Sequence, residues 1–150
     1  MIVLIALIII IDQLTKHLAI KYLKGQSPVV LIKNFLSLHY TENAGAAFGI
    51  LQEKRMLFVI ITTIFLLVIS FYIIKYFNEL SLISKIGASV LLGGAIGNYI
   101  DRVRHGFVVD FISAKITKTY DFPVFNIADM AIVLGTLVIV YVVLFDKHSA

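Results

Sequence analysis

Residues 125–145 read FNIADMAIVLGTLVIVYVVLF. After Asp129 the run carries no charge, and it is long enough to cross a bilayer, which takes about 20 mostly apolar residues. A carboxylate in hydrocarbon costs several kcal/mol, so an acid at the start of a spanning segment points to a functional site. Reading outward, three further stretches reach the same length. IVLIALIIIIDQLTKHLAIKYL (2–23) opens with ten apolar residues and then turns amphipathic. MLFVIITTIFLLVISFYII (56–74) has no charge, and IGASVLLGGAIGNYI (86–100) extends backwards through LSLIS. The expectation is one all-α membrane domain over residues 1–150, with four transmembrane helices at about 2–23, 54–76, 81–101 and 125–145. The first stretch has no basic leader and no small-x-small site after it, so it reads as a span and not as a cleaved signal peptide.

Bulk composition agrees. The chain is 60% hydrophobic with mean hydropathy +0.98, and only 15% of residues are charged, too few to cover a water-facing surface. The net charge of +4 fits contact with membrane lipid headgroups. There are no cysteines, which removes disulfides, thiol catalysis and cysteine metal sites. The four histidines are scattered and lack metal spacing. No serine sits in a GxSxG elbow. LLGGAIG lies inside an apolar span without a following Lys-Ser/Thr, so it is no phosphate loop. The basic residues have no soluble face on which to present nucleic acid. Neither a metal nor a cofactor is expected.

Between the first two spans, residues 35–41 partly alternate apolar and polar, with Leu36, Leu38 and Tyr40 on one face. This is the period of a half-buried strand. VVLI before Lys33 and Asn34 is a candidate hairpin partner, and AGAAFGIL (44–51) reads as a short helix or close-packed turn. A small β-structured flap on the membrane surface is expected. The stretches 75–85 and 101–124 read as connections.

Six aspartates are present. Asp121 and Asp146 read as solvated loop charges. Asp12 and Lys16 have the i,i+4 spacing of one helical face and read as a structural ion pair, since a permanently paired carboxylate is a poor proton shuttle. Asp101 precedes Arg102 and reads as a fixed anion that orients Arg102 or Asn98, with a catalytic role second. Gly93 and Gly97 form a small-xxx-small face for close helix approach. Asp110, in GFVVDFIS, and Asp129 have apolar neighbours and no adjacent base. Desolvation raises the proton affinity of such acids. If folding brings them together they share one proton, as in aspartic proteases. Asn43, Asn98 and Asn126 could offer neutral hydrogen bonds to a substrate backbone, and Asn126 shares a helix face with Asp129. A small proton-coupled transporter component would also use intramembrane acids. It would not need a strand segment beside them.

DQLTK (12–16), YTENAGAAFG (40–49), GGAIGNYIDR (93–102), VVDF (108–111) and FNIAD (125–129) together resemble the lipoprotein signal peptidases, signal peptidase II. The resemblance covers nearly the whole chain in order. It implies an aspartic endopeptidase of the bacterial inner membrane that removes signal peptides from diacylglyceryl-modified prolipoproteins, cutting before the lipid-bearing cysteine. It implies that Asp110 and Asp129 form the catalytic dyad, that Asn43, Asn98, Arg102 and Asn126 line the substrate site, and that the cyclic peptide globomycin inhibits the enzyme. Such a single-chain site needs no protein partner. The resemblance also puts both termini in the cytoplasm and the dyad near the outer face. The charge bias points the other way: segments 12–55 and 101–124 hold ten of the thirteen Lys and Arg, which the positive-inside rule assigns to the cytoplasm.

Overall fold

The computed structural model describes residues 1–45, 55–115 and 122–145. The chain runs α1 (Ile2–Leu23), β1 (Val29–Ile32), β2 (Leu36–Asn43), α2 (Arg55–Lys75), α3 (Leu82–Arg104), β3 (Val108–Ala114) and α4 (Ile127–Phe145). α1, α2 and α4 are each long and apolar enough to cross a membrane. α3, the third of the expected spans, is the exception. Glycines, Lys85 and the polar end Asn98–Arg102 lower its hydropathy, because it packs against protein where the others meet lipid. The outward faces of the three apolar helices are bare: Ile74 is 76% and Val143 75% exposed.

α3 is the central element, and its glycines fix both of its contacts. Gly93 and Gly97 face Ile8 and Asp12 of α1, while Gly87 and Gly94 face α4 around Val138, Gly135 and Ala128. The small-xxx-small face expected from the sequence is therefore the α1 contact, and a second such face meets α4. With no side chains between them the backbones approach closely, which is how helices gain van der Waals contact in lipid. α2 packs outside α3, where Ile73 meets Ala88 and Leu92.

Beside the helices stands a three-stranded antiparallel sheet in the order β1-β2-β3, so the mostly helical chain carries β-structure where a small flap was expected, with one strand more than the expected hairpin. The expected hairpin is present. Asn34 makes its turn with φ 60, a left-handed conformation that asparagine tolerates better than most residues. β3, by contrast, falls inside the stretch read as a plain connection. Val108, Val109, Asp110 and Phe111 are all buried, so this strand has no polar face and shows no alternation. Its signal was composition, the β-branched and aromatic VVDFI. The alternation in β2 is broken by a register shift between Leu38 and Thr41, where a bulge leaves Thr41 opposite Asp110 and Asn43 opposite Val108. The sheet packs on the C-terminal half of α1, with Ala19 against Val109 and Phe111. Most of the turn expected at AGAAFGIL, together with Asp121 and Asp146, lies outside the described residues.

The α3–α4 crossing makes a direct prediction. A Cβ at Gly135 would stand 2.5 Å from the Leu91 nitrogen and 2.8 Å from the Gly87 oxygen, so Gly135→Ala must push two backbones apart. We expect a loss of about 1–3 kcal/mol, read as a lower melting temperature in detergent. Gly25→Asn, at φ 75 with nothing within 4 Å, should change little. Equal effects of the two substitutions would show that the close crossing does not hold the helices together.

Candidate active site

The site begins at the N-terminus of α4. Asn126 precedes the helix, and its Oδ1 accepts from the Asp129 N–H at 2.9 Å, while Asp129 Oδ2 accepts from the Asn126 N–H at 3.1 Å. This is a reciprocal capping box, with each side chain satisfying a backbone donor that the first turn leaves free. The next free donor, Ala128 N–H, goes to Asp12 Oδ1 at 2.9 Å. Asp129 thus sits at the polar mouth of an apolar helix, beside the positive end of the helix dipole.

Asp110 arrives from β3. Its Oδ1 accepts from Asn126 Nδ2 at 2.7 Å and its Oδ2 from Asn43 Nδ2 at 2.9 Å. Asn43 reaches it as the diagonal neighbour on the adjacent strand, the bulge having placed both on one face. Asn98 completes the set. Its Nδ2 donates to Asp129 Oδ1 at 2.7 Å, and its Oδ1 accepts from Asn126 Nδ2 at 3.1 Å. Both aspartates and all three asparagines singled out in the sequence therefore form one hydrogen-bonded cluster. Within it Asn98 and Asn126 are buried behind the carboxylates; their amides spend their donors on Asp129 and Asp110.

Asp110, Asp129, Asn43 and Arg102 line a cavity of about 970 Å³. Its other walls are the end of β2 through Gly45, the stretch Phe122–Phe125, and Met130, Ile132, Val133 and Leu134 of α4. Met130, Val133 and Leu134 are also exposed on the outside of the helix bundle, so the apolar wall is continuous with the lipid-facing surface. Burial pushes the Asp110 carboxyl up to about 6; nearby Asp129 adds to the rise, and the bonds from Asn43 and Asn126 oppose it. Glu42, on the cavity rim, was not singled out in the sequence. Its Oε1 accepts from Lys24 at 2.9 Å and Tyr40 at 2.8 Å, and these bonds hold it below the usual carboxylate range. Among the described residues no three His, Cys, Asp or Glu side chains come together to hold a metal ion.

The model of the family described as Signal peptidase (SPase) II matches residues 4–145. The chain belongs to the signal peptidase II family. It is 47% identical over 145 residues to a lipoprotein signal peptidase of Caldanaerobacter subterraneus subsp. tengcongensis, covering 96% of this chain and 95% of that one. It is 43% identical over 150 residues to that of Clostridium tetani, covering 99% and 95%. Two solved structures of a bacterial membrane enzyme superpose with TM-scores of 0.87 and 0.84, each 39% identical and covering 97% of this chain; the coverage of those chains is 88% and 93%. The cluster thus lies in an aspartic peptidase.

Behind the peptidase's two cavity-lining acids lies a second polar layer. Lys16 Nζ contacts Asp12 Oδ2 at 2.9 Å, Asp101 Oδ2 at 3.0 Å and Asn98 Oδ1 at 2.8 Å. The expected Asp12–Lys16 pair is present, and Asp101 is a fixed anion whose cation is Lys16. Of the two residues it was expected to orient, Asn98 is held through that lysine. Asp101 also accepts from the Val109 N–H at 3.1 Å, next to Asp110, and from Gln13 Nε2 at 2.9 Å. Gln13 went unread in DQLTK because adjacent residues share no helix face.

Lys16 and its carboxylates are almost wholly buried. Removing only the cation leaves two uncompensated charges, which typically costs about 3–5 kcal/mol. Lys16→Met should therefore yield little folded peptidase, judged by recovery and melting temperature in detergent. A variant that melts with the wild type would show that the triad is not what holds α1 to α3.

Proposed function

We propose that Asp110 and Asp129 are the catalytic pair of this signal peptidase II and that together they hold one proton. The observation that carries the proposal is that two carboxyls from different elements share one asparagine, Asn126, and open into one cavity. Asp110, with its raised proton affinity, holds the proton. Asp129 is then the carboxylate that takes a proton from a water. As the water oxygen attacks the scissile carbonyl carbon, Asp110 protonates the carbonyl oxygen. The tetrahedral diol collapses, the C–N bond breaks, and the proton on Asp129 passes to the leaving amine. The acid form of Asp110 is restored from the diol hydroxyl. This general acid–base route forms no covalent intermediate.

The enzyme cleaves signal peptides from prolipoproteins. We infer a cut just before a cysteine that already carries diacylglycerol. The apolar wall of α4 supports this, because acyl chains could remain against Met130, Val133 and Leu134 while the peptide enters beside the dyad. Asn43 and Arg102, which line the cavity, are assigned to the substrate; Asn98 and Asn126 hold the acids. Globomycin would occupy the same cavity.

The same reading makes α3 a fourth span, with the sheet resting on the outer face of the bacterial cytoplasmic membrane and both termini in the cytoplasm. At about 1.5 Å per residue its 23 residues are long enough. β1, apolar and exposed at every residue, suits an interfacial position. The opposing charge bias is smaller than the count of basic residues implies. Lys16 is a buried ion-pair member and Lys24 is tied to Glu42, so neither is a free loop charge.

Asp110→Asn and Asp129→Asn should each remain folded and lose about 10²- to 10⁴-fold of cleavage of a purified diacylglyceryl-prolipoprotein. Retained activity in either removes that residue from the pair. For wild type, kcat/KM should be highest below about pH 6 and decline above it as Asp110 ionises; a profile that instead rises through pH 6 would show that an ionised Asp110 is required. For orientation, the cysteine-free chain permits a single label. Lys33→Cys, in the β1–β2 turn, should react with an impermeant maleimide from outside intact cells, and protection until lysis would place the sheet in the cytoplasm.

A further inference from the structure

α2 is the element with the least obvious task. Ile73 is the one buried residue among its described side chains, and no described residue of α2 lines the cavity. Yet it reaches the site at one point. The Arg102 guanidinium lies over the Phe58 ring, 5.1 Å from its centroid. One turn further along α2, Thr63 Oγ1 meets the Tyr99 hydroxyl at 3.1 Å, pinning α2 beside the last turns of α3.

We propose that Phe58 is a positioning residue for substrate binding: its ring holds the Arg102 guanidinium at the cavity wall, so that α2 sets the pose of a side chain that α3 supplies. The inference rests on the reading that Arg102 contacts the substrate. Three facts support it. Arg102 stands near the end of α3 on a long flexible stem, and its planar cation favours an aromatic face. Both partners are half-buried, where such a contact is stronger than in open water. Phe58 itself is outside the cavity wall, so replacing it leaves the lining unchanged. A leucine there would keep an apolar side chain against α3 and lose only the ring's electron-rich face.

The ligand for a guanidinium fixed in this way is a carbonyl or anionic oxygen of the substrate beside the scissile bond. Holding the side chain in place before binding saves the loss of its freedom on binding, which appears in KM more than in kcat.

The experiment is a double-mutant cycle with a purified diacylglyceryl-prolipoprotein in detergent. It uses Phe58→Leu, Phe58→Trp, Arg102→Gln and Phe58→Leu with Arg102→Gln. Phe58→Leu should raise KM about three- to tenfold with kcat and melting temperature unchanged. Phe58→Trp should restore KM, and Phe58→Leu should add nothing once Arg102 is glutamine. Three results would overturn the inference: wild-type KM in Phe58→Leu, no rescue by tryptophan, or full additivity with Arg102→Gln. An unchanged KM in Arg102→Gln would instead overturn the substrate role of Arg102.

Discussion

The ammonium of Lys16 has three hydrogens and meets three oxygens, from Asp12, Asp101 and Asn98. In an apolar bundle this count has to close, because an unmatched charge or donor there costs several kcal/mol. Each of the three oxygens belongs to a side chain that goes on to hold part of the site. Asp12 caps α4 at Ala128, Asp101 takes the N–H of Val109 beside Asp110, and Asn98 turns its amide to Asp129. Among the described residues no buried side-chain nitrogen or oxygen lacks a partner. The two carboxyls of the site therefore rest on a framework with no free choice of amide orientation: swapping O and N in Asn98 would set its NH₂ against Lys16 and Asn126.

The site also depends on facing two solvents. One wall is peptide and asparagine, and the other is the outer face of α4. A water-filled cleft would leave Asp110 with ordinary acidity. Here burial raises its affinity for a proton, and under the proposed function the same apolar surroundings take the lipid of the substrate. One physical cause, the exclusion of water, therefore bears on both the proton chemistry and the choice of substrate. Glu42 is the contrast. It lies at the rim within reach of Lys24 and Tyr40, whose hydrogen bonds hold it below the usual carboxylate range.

What could be read in the sequence follows how local each signal is. α1, α2 and α4 announce themselves by length of apolar run. The 35–41 alternation locates β2, although the strand extends to Asn43. β3 is hidden because burial on both sides erases alternation. Asp110 was nevertheless singled out, since an acid among valines and phenylalanine stands out whatever its backbone does. The Asn126–Asp129 spacing was legible as a shared face, and an Asn-x-x-Asp before an apolar run was also legible as a helix start. Asn98's tie to Lys16 and the Phe58–Arg102 stack join residues far apart in the chain, and no spacing rule reaches them. The helix partners of the glycines were likewise open: a small-residue face says that something approaches, not what.

The bulge in β2 has a consequence for how this stretch can vary in length. Strand residues point alternately to the two sides of a sheet, so the side on which Asn43 emerges depends on whether the number of residues back to Leu38 is odd or even. The bulge before Thr41 absorbs one residue of that count, so that Asn43 and Asp110 still share a side. Losing that one extra residue would restore a regular ladder and leave Asn43 on the side of the acid, while losing two would turn Asn43 away from it. The segment can thus give up its bulge residue and no more, a constraint that concerns counting and not the chemistry of any one side chain.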